Sequence, residues 1–117
     1  YLIIDMPPGI GDETLDVINL VKKSNFLVVT TPSTVAMGAV EKLLKMLKEQ
    51  KLPILGVIEN MKMKKGSFVK DRVKELNIDY LGAVNFDTEL EDAIGKPKDI
   101  LKIDFMRDFE KITDKIL

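Results

Sequence analysis

The opening stretch, Tyr1–Asp12, constrains the fold more than any other part of the chain; it reads Tyr-Leu-Ile-Ile-Asp-Met-Pro-Pro-Gly-Ile-Gly-Asp. Its apolar run, Tyr1–Ile4, predicts a strand buried on both faces, as in a parallel sheet covered by helices. Asp5 follows that run directly, and ligands of open α/β sheets bind beside the carboxyl ends of the strands. Gly9 and Gly11 then allow the backbone to take a positive φ or to approach a phosphate closely.

From the residues alone, two interpretations of this stretch are open. In the structural one, it is a capped connection between a buried strand and a helix, and Asp5 only ends the strand. In the functional one, Asp5 holds a Mg²⁺ ion at a bound nucleotide, directly or through water, as a Walker B aspartate does. The complete string Asp-x-Pro-Pro-Gly-x-Gly-Asp is much rarer by chance than an apolar run ending in aspartate, so it favours the nucleotide site.

Apolar runs alternate with helical patterns along the rest of the chain. Further strands are predicted at Phe26–Thr31, Ile54–Ile58 and Tyr80–Val84, and helices at about 12–23, 35–50, 69–76 and 88–94 and from about 104. Ser33 or Thr34 is placed to cap one helix, and Thr88 with Glu91 has the spacing of a capping box. Strands that alternate with helices imply βαβ units, and so a parallel α/β sheet flanked by helices.

The composition excludes several kinds of site. The chain has 117 residues with no cysteine and no histidine, so disulfides, thiolate or imidazole metal sites and Ser-His-Asp chemistry are impossible within it. A formal net charge of −1 gives no global attraction to nucleic acid or to an anionic membrane. No apolar run approaches the roughly 18 residues of a membrane span, and we expect a cytoplasmic protein.

The opening string resembles the Walker B and switch II segment of the Mrp/Nbp family, within the MinD/ParA group of P-loop ATPases. The resemblance runs from Tyr1 to about Gly95 and includes the Glu-Asn-Met string at 59–61. It implies a doubly wound, P-loop NTPase-like fold with ATP and Mg²⁺ as ligands. It also implies homodimerisation around ATP and a role as a carrier or scaffold in iron–sulfur cluster assembly.

The resemblance further implies a role for four residues. Asp5 would organise Mg²⁺, Gly9 would offer its backbone N–H to the γ-phosphate, Asp12 would anchor the switch, and Asn60 would hold the base. A side-chain amide both donates and accepts hydrogen bonds, which suits a purine edge, although an asparagine at a strand end also commonly turns the chain.

The chain departs from the family pattern at three places. It has no Gly-x-x-x-x-Gly-Lys-[Ser/Thr] string, so the P-loop and its strand are missing and no catalytic set is complete. Residues 62–67 read Lys-Met-Lys-Lys-Gly-Ser where many members carry Cys-Pro-x-Cys, so this chain supplies no thiolate for a cluster. Asn85 stands where proline is usual in the wall of the base pocket, and Asp87 beside it is predicted to cap a helix.

We therefore expect residues 1–117 to be the C-terminal part of one P-loop NTPase-like domain, with weak nucleotide binding and negligible ATPase activity alone. The resemblance puts the P-loop strand between Tyr1–Ile4 and Phe26–Thr31. We expect those two strands either to pair directly or to be bridged by a partner chain or the missing half, because buried backbone groups need partners. The alternative is a non-catalytic regulatory or protein-interaction module that has the α/β shell without a P-loop.

Overall fold

The computed structural model describes residues 1–117 and contains a three-stranded parallel sheet in the order β1-β2-β3. The strands are β1 (Phe26–Thr30), β2 (Ile54–Lys62) and β3 (Tyr80–Asn85). The helices are α1 (Asp12–Leu20), α2 (Thr34–Glu49), α3 (Phe68–Glu75), α4 (Leu90–Ala93), α5 (Pro97–Ile100) and α6 (Asp104–Thr113). None of them is long and apolar enough to cross a membrane. The parallel sheet and its flanking helices confirm the predicted α/β fold class.

The first face of the sheet, covered by α2 and α3, holds the larger core. Ser33 is the N-cap of α2, and its Oγ accepts a hydrogen bond from the N–H of Ala36 at 3.5 Å. Apolar residues then recur along α2 at helical spacing, and this buries one side of the helix. The buried residues of this core are Val28, Met37, Leu44, Leu47, Val57, Val69 and Val73.

The second face of the sheet is covered only in part. Ile58 points to this face because side chains alternate along a strand, and it packs with Leu81, Val84 and Ile112. Ile112 belongs to α6, which lies on β3. On β1 the same alternation directs Leu27 and Val29 to the second face, where they are 42% and 54% exposed. The second face is therefore covered over β3 and open over β1.

The prediction of a strand over Tyr1–Ile4 is wrong in this structure. Residues 1–7 have no regular secondary structure, and Ile3 is 90% exposed. A strand needs a neighbour for its backbone N–H and C=O groups, and the outer edge of β1 pairs with no strand. The direct pairing that we considered between Tyr1–Ile4 and β1 therefore does not form.

Three local predictions are also corrected. β2 extends past Ile58 to Lys62, because its last residues still pair with β3. The predicted capping box is not formed, since α4 begins at Leu90 without any side-chain cap. α5 forms in a segment for which no helix was predicted, and Pro97 stands in its first turn, where a missing N–H costs no helical bond.

Gly56 offers a test of how closely β2 and β3 pack. Its φ is +144°, and a Cβ built there would lie 2.7 Å from the Asp79 carbonyl oxygen and from Leu81 Cγ. We expect Gly56→Ala to lower the free energy of unfolding by about 2 kcal/mol or more. The strain of a positive φ and the steric overlap of the new methyl group both destabilise the folded state. Urea denaturation measures this change.

The matched control is Gly38→Ala. Gly38 lies in α2, and a Cβ placed on it would meet no other atom within 4 Å. Alanine there should raise stability by roughly 0.5–1 kcal/mol, because it lowers the entropy cost of forming the helix. Equal stability of the Gly56→Ala variant and the parent protein would contradict the packing described for the sheet.

Candidate functional site

The predicted site residues lie in two groups. Asp5, Gly9 and Asp12 belong to the opening loop, residues 5–12, which leads into α1. Asn60 belongs to the carboxyl end of β2. The structure brings the first three residues together in one loop, and no hydrogen bond or ion pair connects that loop with Asn60.

Thr14 holds the opening loop against α1. Its side chain is buried, and its Oγ1 donates a hydrogen bond to the carbonyl oxygen of Gly9 at 3.3 Å. Gly11 is the N-cap of α1, and its carbonyl accepts from the N–H of Thr14 at 3.1 Å. Gly9 has φ +91°, a conformation that strains residues with a side chain. This role of Thr14 was not predicted from the sequence. The only feature that could have indicated it is a hydroxyl group in the first turn of a predicted helix.

The opening loop contains two carboxylates, those of Asp5 and Asp12. Asp5 is exposed and has no hydrogen-bond or ion-pair partner in the chain. Mg²⁺ in nucleotide sites is commonly held by one or two carboxylates together with phosphate oxygens and water. No group of three or more acidic side chains is close enough to hold a metal ion without such help.

Asn60 lies in a β-bulge. Residues 59–62 of β2 stand opposite residues 83–85 of β3, so β2 carries one extra residue there. Met61 takes φ +57°, in the left-handed region that is costly for a residue with a side chain. The Asn60 Oδ1 accepts a hydrogen bond from the N–H of Met61 at 2.9 Å. A backbone N–H can only donate, so its partner must be the amide oxygen of Asn60 and not the amide nitrogen. The NH₂ group of Asn60 therefore remains available to donate to a ligand.

Beside Asn60, Glu59 is a buried carboxylate that was not predicted as a site residue. Its side chain is 4% exposed, and Oε2 accepts hydrogen bonds from the Tyr80 hydroxyl at 2.7 Å and from Lys62 Nζ at 3.1 Å. Burial raises the pKa of Tyr80, and the hydrogen bond to Glu59 and its negative charge raise it further. The one feature of the sequence that could have predicted its burial is the alternation of side chains along a strand, which directs Glu59 to the same face as Val57.

A cavity of about 430 Å³ lies between the end of β3 and α6. Asn85 lines it, and both its backbone N–H and its Nδ2 donate to Asp108 Oδ2, at 3.2 Å and 2.7 Å. A proline at this position could not donate the backbone bond. The departure from the family pattern at Asn85 therefore fastens α6 to the end of β3.

The prediction that Asp87 is a helix N-cap is wrong, because Glu89 holds that position in α4 and Ile103 holds it in α6. Asp87 instead bonds to α6 from outside that helix. Its Oδ2 accepts from the N–H of Phe105 at 2.9 Å, in the first turn of α6. Its Oδ1 accepts from the N–H of Glu89 at 2.9 Å. The Asp108 side chain thus connects α6 to the last residue of β3, and the Asp87 side chain connects the segment after β3 to the start of α6.

Comparison with known proteins identifies the family. A family model described as ParA, NUBPL iron-transfer P-loop NTPase, matches residues 1–117. The chain belongs to this family. The match confirms the resemblance read from the opening string, and a P-loop NTPase family implies nucleotide and Mg²⁺ as ligands.

Several similar proteins carry the name iron–sulfur cluster carrier protein. That of Methanocaldococcus jannaschii is 32% identical, over 100% of this chain and 46% of its own length. That of Saccharolobus solfataricus is 35% identical, over 100% of this chain and 45% of its own length. That of Aquifex aeolicus is 35% identical, over 86% of this chain and 31% of its own length. The chain thus spans less than half the length of these relatives.

Asp108 should give the stability of the chain a pH dependence. Partial burial raises the pKa of Asp108, but the hydrogen bonds from Asn85 and Lys111 and the charge of Lys111 outweigh burial and lower it. The ionised carboxylate of Asp108 therefore stabilises the folded state fully at pH values above its unfolded-state pKa of about 4. This stabilisation is lost as the pH falls through the folded-state pKa. We expect Asp108→Asn to cost about 1 kcal/mol at neutral pH and less in acid.

Urea denaturation at a series of pH values checks this expectation. Glu110→Gln is the control, because Glu110 lies on the same helix, is exposed and forms no ion pair. Its effect on stability should not change along the series. A difference between Asp108→Asn and the parent that stays constant from neutral pH into acid would contradict the role assigned to Asp108.

Proposed function

We propose that residues 1–117 are the C-terminal part of one nucleotide-binding domain, in a protein that binds and hydrolyses ATP. We further propose that this protein is a carrier or scaffold in iron–sulfur cluster assembly. The observation that carries the proposal is the match of the whole chain to the NUBPL iron-transfer P-loop NTPase family. The names of the relatives from Methanocaldococcus jannaschii and Saccharolobus solfataricus support the iron–sulfur role.

In this proposal the four predicted site residues bind Mg-ATP. Asp5 holds Mg²⁺, directly or through water, and the N–H of Gly9 donates to the γ-phosphate. Asp12 anchors the loop at the start of α1, and Asn60 donates from its NH₂ group to the base. The unpartnered Asp5 carboxylate and the free Asn60 NH₂ support these roles. Bound Mg-ATP supplies the phosphoryl group and a cation that neutralises charge on its oxygens during transfer.

The open part of the sheet supports the proposal that more chain completes the domain. The outer edge of β1 is unpaired, Leu27 and Val29 are exposed, and the apolar run Tyr1–Ile4 has no strand beside it. Both faces of a parallel sheet are normally covered, and a strand between this run and β1 would satisfy the backbone groups of both. The greater length of the relatives is consistent with such an additional segment.

The proposal limits what this chain does alone. The groups that stabilise a transferring phosphoryl group are chiefly the P-loop backbone and its lysine, and residues 1–117 contain no Walker A string. Negligible ATPase activity and weak nucleotide binding are therefore expected of the chain by itself. We also propose a homodimer around ATP, in the cytoplasm, with cluster ligands supplied from outside residues 1–117, which contain no cysteine.

Calorimetric titration with Mg-ATP tests the proposal. The titration compares this chain with the same chain joined to a P-loop half, and we expect tight binding only by the joined form. In that form, Asp5→Ala and Asn60→Ala should each weaken binding about tenfold or more, because each removes a contact to a charged or buried ligand group.

Asp16→Ala and Asn19→Ala are the matched controls. Both residues lie on the exposed side of α1, and neither substitution should change the affinity. Tight binding by residues 1–117 alone would contradict the need for a P-loop half. Absence of binding by both forms would refute the nucleotide site and favour a non-catalytic interaction module.

A further inference from the structure

The bulge at the end of β2 places two opposite charges on the same face of the sheet. In a regular strand Glu59 and Lys62 would point to opposite faces, because side chains alternate along the strand. The extra residue of the bulge turns Lys62 back to the face of Glu59, and the two side chains meet at 3.1 Å. The ion pair can therefore form only when the bulge is formed.

Two further hydrogen bonds connect this ion pair to neighbouring segments. The Tyr80 hydroxyl, at the start of β3, donates to the same Glu59 oxygen that accepts from Lys62. Lys62 Nζ also donates to the carbonyl oxygen of Gly66 at 2.7 Å, just before α3. We call Glu59, Lys62 and Tyr80 the brace. It joins the end of β2, the start of β3 and the turn that leads into α3.

The brace also bears on Asn60, which lies inside the bulge. The orientation of its amide depends on the N–H of Met61, whose left-handed φ of +57° is unfavourable without support from the surroundings. Loss of the bulge would release Met61 and, with it, the bond that fixes the orientation of the Asn60 amide. The side chains that hold the bulge therefore also set the direction in which Asn60 can donate.

We propose that Glu59, Lys62 and Tyr80 are positioning residues that hold the bulge and keep Asn60 ready to donate to an acceptor atom of a nucleotide base. The proposal rests on the proposed function in one respect, that Asn60 contacts the base. A role in positioning Asn60 also explains why the brace consists of charged and polar side chains. Apolar residues can often replace an ion pair that has a buried member with no loss of stability, so the pairing of the buried Glu59 carboxylate with Lys62 is poorly explained by stability alone.

The first test uses residues 1–117 and does not depend on nucleotide. Lys62→Met removes the ammonium group and keeps the length of the side chain, and Tyr80→Phe removes only the hydroxyl. The reporter is the N–H of Phe86, which donates to the Lys62 carbonyl oxygen at 3.0 Å across the bulged pairing. We expect both variants to speed hydrogen exchange of this amide by about tenfold or more, because the bulge then opens locally.

Lys64→Met is the matched control. Lys64 is an exposed lysine in the same turn and forms no ion pair, so its variant should exchange as the parent does. Lys62→Arg retains the positive charge and should restore most of the protection. Tyr80→Phe keeps the test decisive even if Lys62→Met fails to fold. Unchanged exchange of the Phe86 amide in a folded Tyr80→Phe or Lys62→Met variant would overturn the proposal.

The second test separates positioning of Asn60 from a general loss of stability. In the chain joined to a P-loop half, Lys62→Met should weaken Mg-ATP binding about tenfold, a change large enough for calorimetry. In an Asn60→Ala background the same substitution should have no further effect, because the brace acts through Asn60. An equal loss of affinity in both backgrounds would overturn the positioning role.

The outcomes distinguish this proposal from the proposed function. If the parent protein binds Mg-ATP and neither brace variant changes the affinity, the positioning proposal fails and the proposed function stands. If the parent protein binds no nucleotide, both fail together. Weaker binding by the brace variants that disappears in the Asn60→Ala background supports both.

Discussion

The pairing of β2 with a parallel neighbour on each edge is the interaction on which the rest of the structure depends. It fixes which side chains face which layer, so that Val57 enters the core under α2 and α3 while Ile58 enters the core under α6. A slip of one residue in either pairing would exchange these two side chains between the faces. The two cores therefore stabilise the same register from opposite sides.

Polar contacts concentrate at the carboxyl ends of the strands. Glu59 is held by Tyr80 and Lys62 at the end of β2, and Asn85 is held by Asp108 at the end of β3. The Tyr80 contact joins β2 to β3 and the Asp108 contact joins β3 to α6, so the irregular backbone at this edge is supported by neighbouring elements. In an open α/β sheet this edge is where ligands bind, and a binding edge needs side chains whose directions are fixed.

The opening loop and β1 contrast with that edge. Thr14 ties the loop to α1, but Tyr1–Ile4 and the outer edge of β1 have no partner within residues 1–117. Apolar side chains and backbone groups left in water contribute nothing to the stability of the fold. The absence of such partners explains why this part of the proposed site has fewer supporting contacts than the carboxyl ends of β2 and β3.

The elements that could be predicted from sequence are those determined by local pattern. The spacing of apolar residues predicted α2, and the run at Tyr80 predicted β3, because both signals lie within a few neighbouring residues. Tyr1–Ile4 has an equally clear local pattern, yet it forms no strand, since strand formation depends on a pairing partner that no local pattern reveals. The Asn85–Asp108 contact joins residues 23 positions apart and was likewise beyond local pattern.

The roles of Asp12 and Asn60 were predicted through family resemblance and those of Asp5 and Gly9 also from the residues themselves, and all four stay predictions. The structure adds what a motif cannot contain. Asn60 is followed by a left-handed residue and preceded by a buried carboxylate, and neither feature follows from the string Glu-Asn-Met. Both depend on the one-residue mismatch between β2 and β3, which appears only when the strands are paired.

The central claim is that β1 has an open edge which a further strand completes. Hydrogen exchange of the β1 amides, measured on residues 1–117 and on the chain joined to a P-loop half, tests it most directly. We expect the amides on the outer edge of β1, within Phe26–Thr30, to exchange quickly in the short chain and to become strongly protected in the joined form. Equal exchange rates in the two forms would contradict the claim, because no additional strand would then pair with the outer edge of β1.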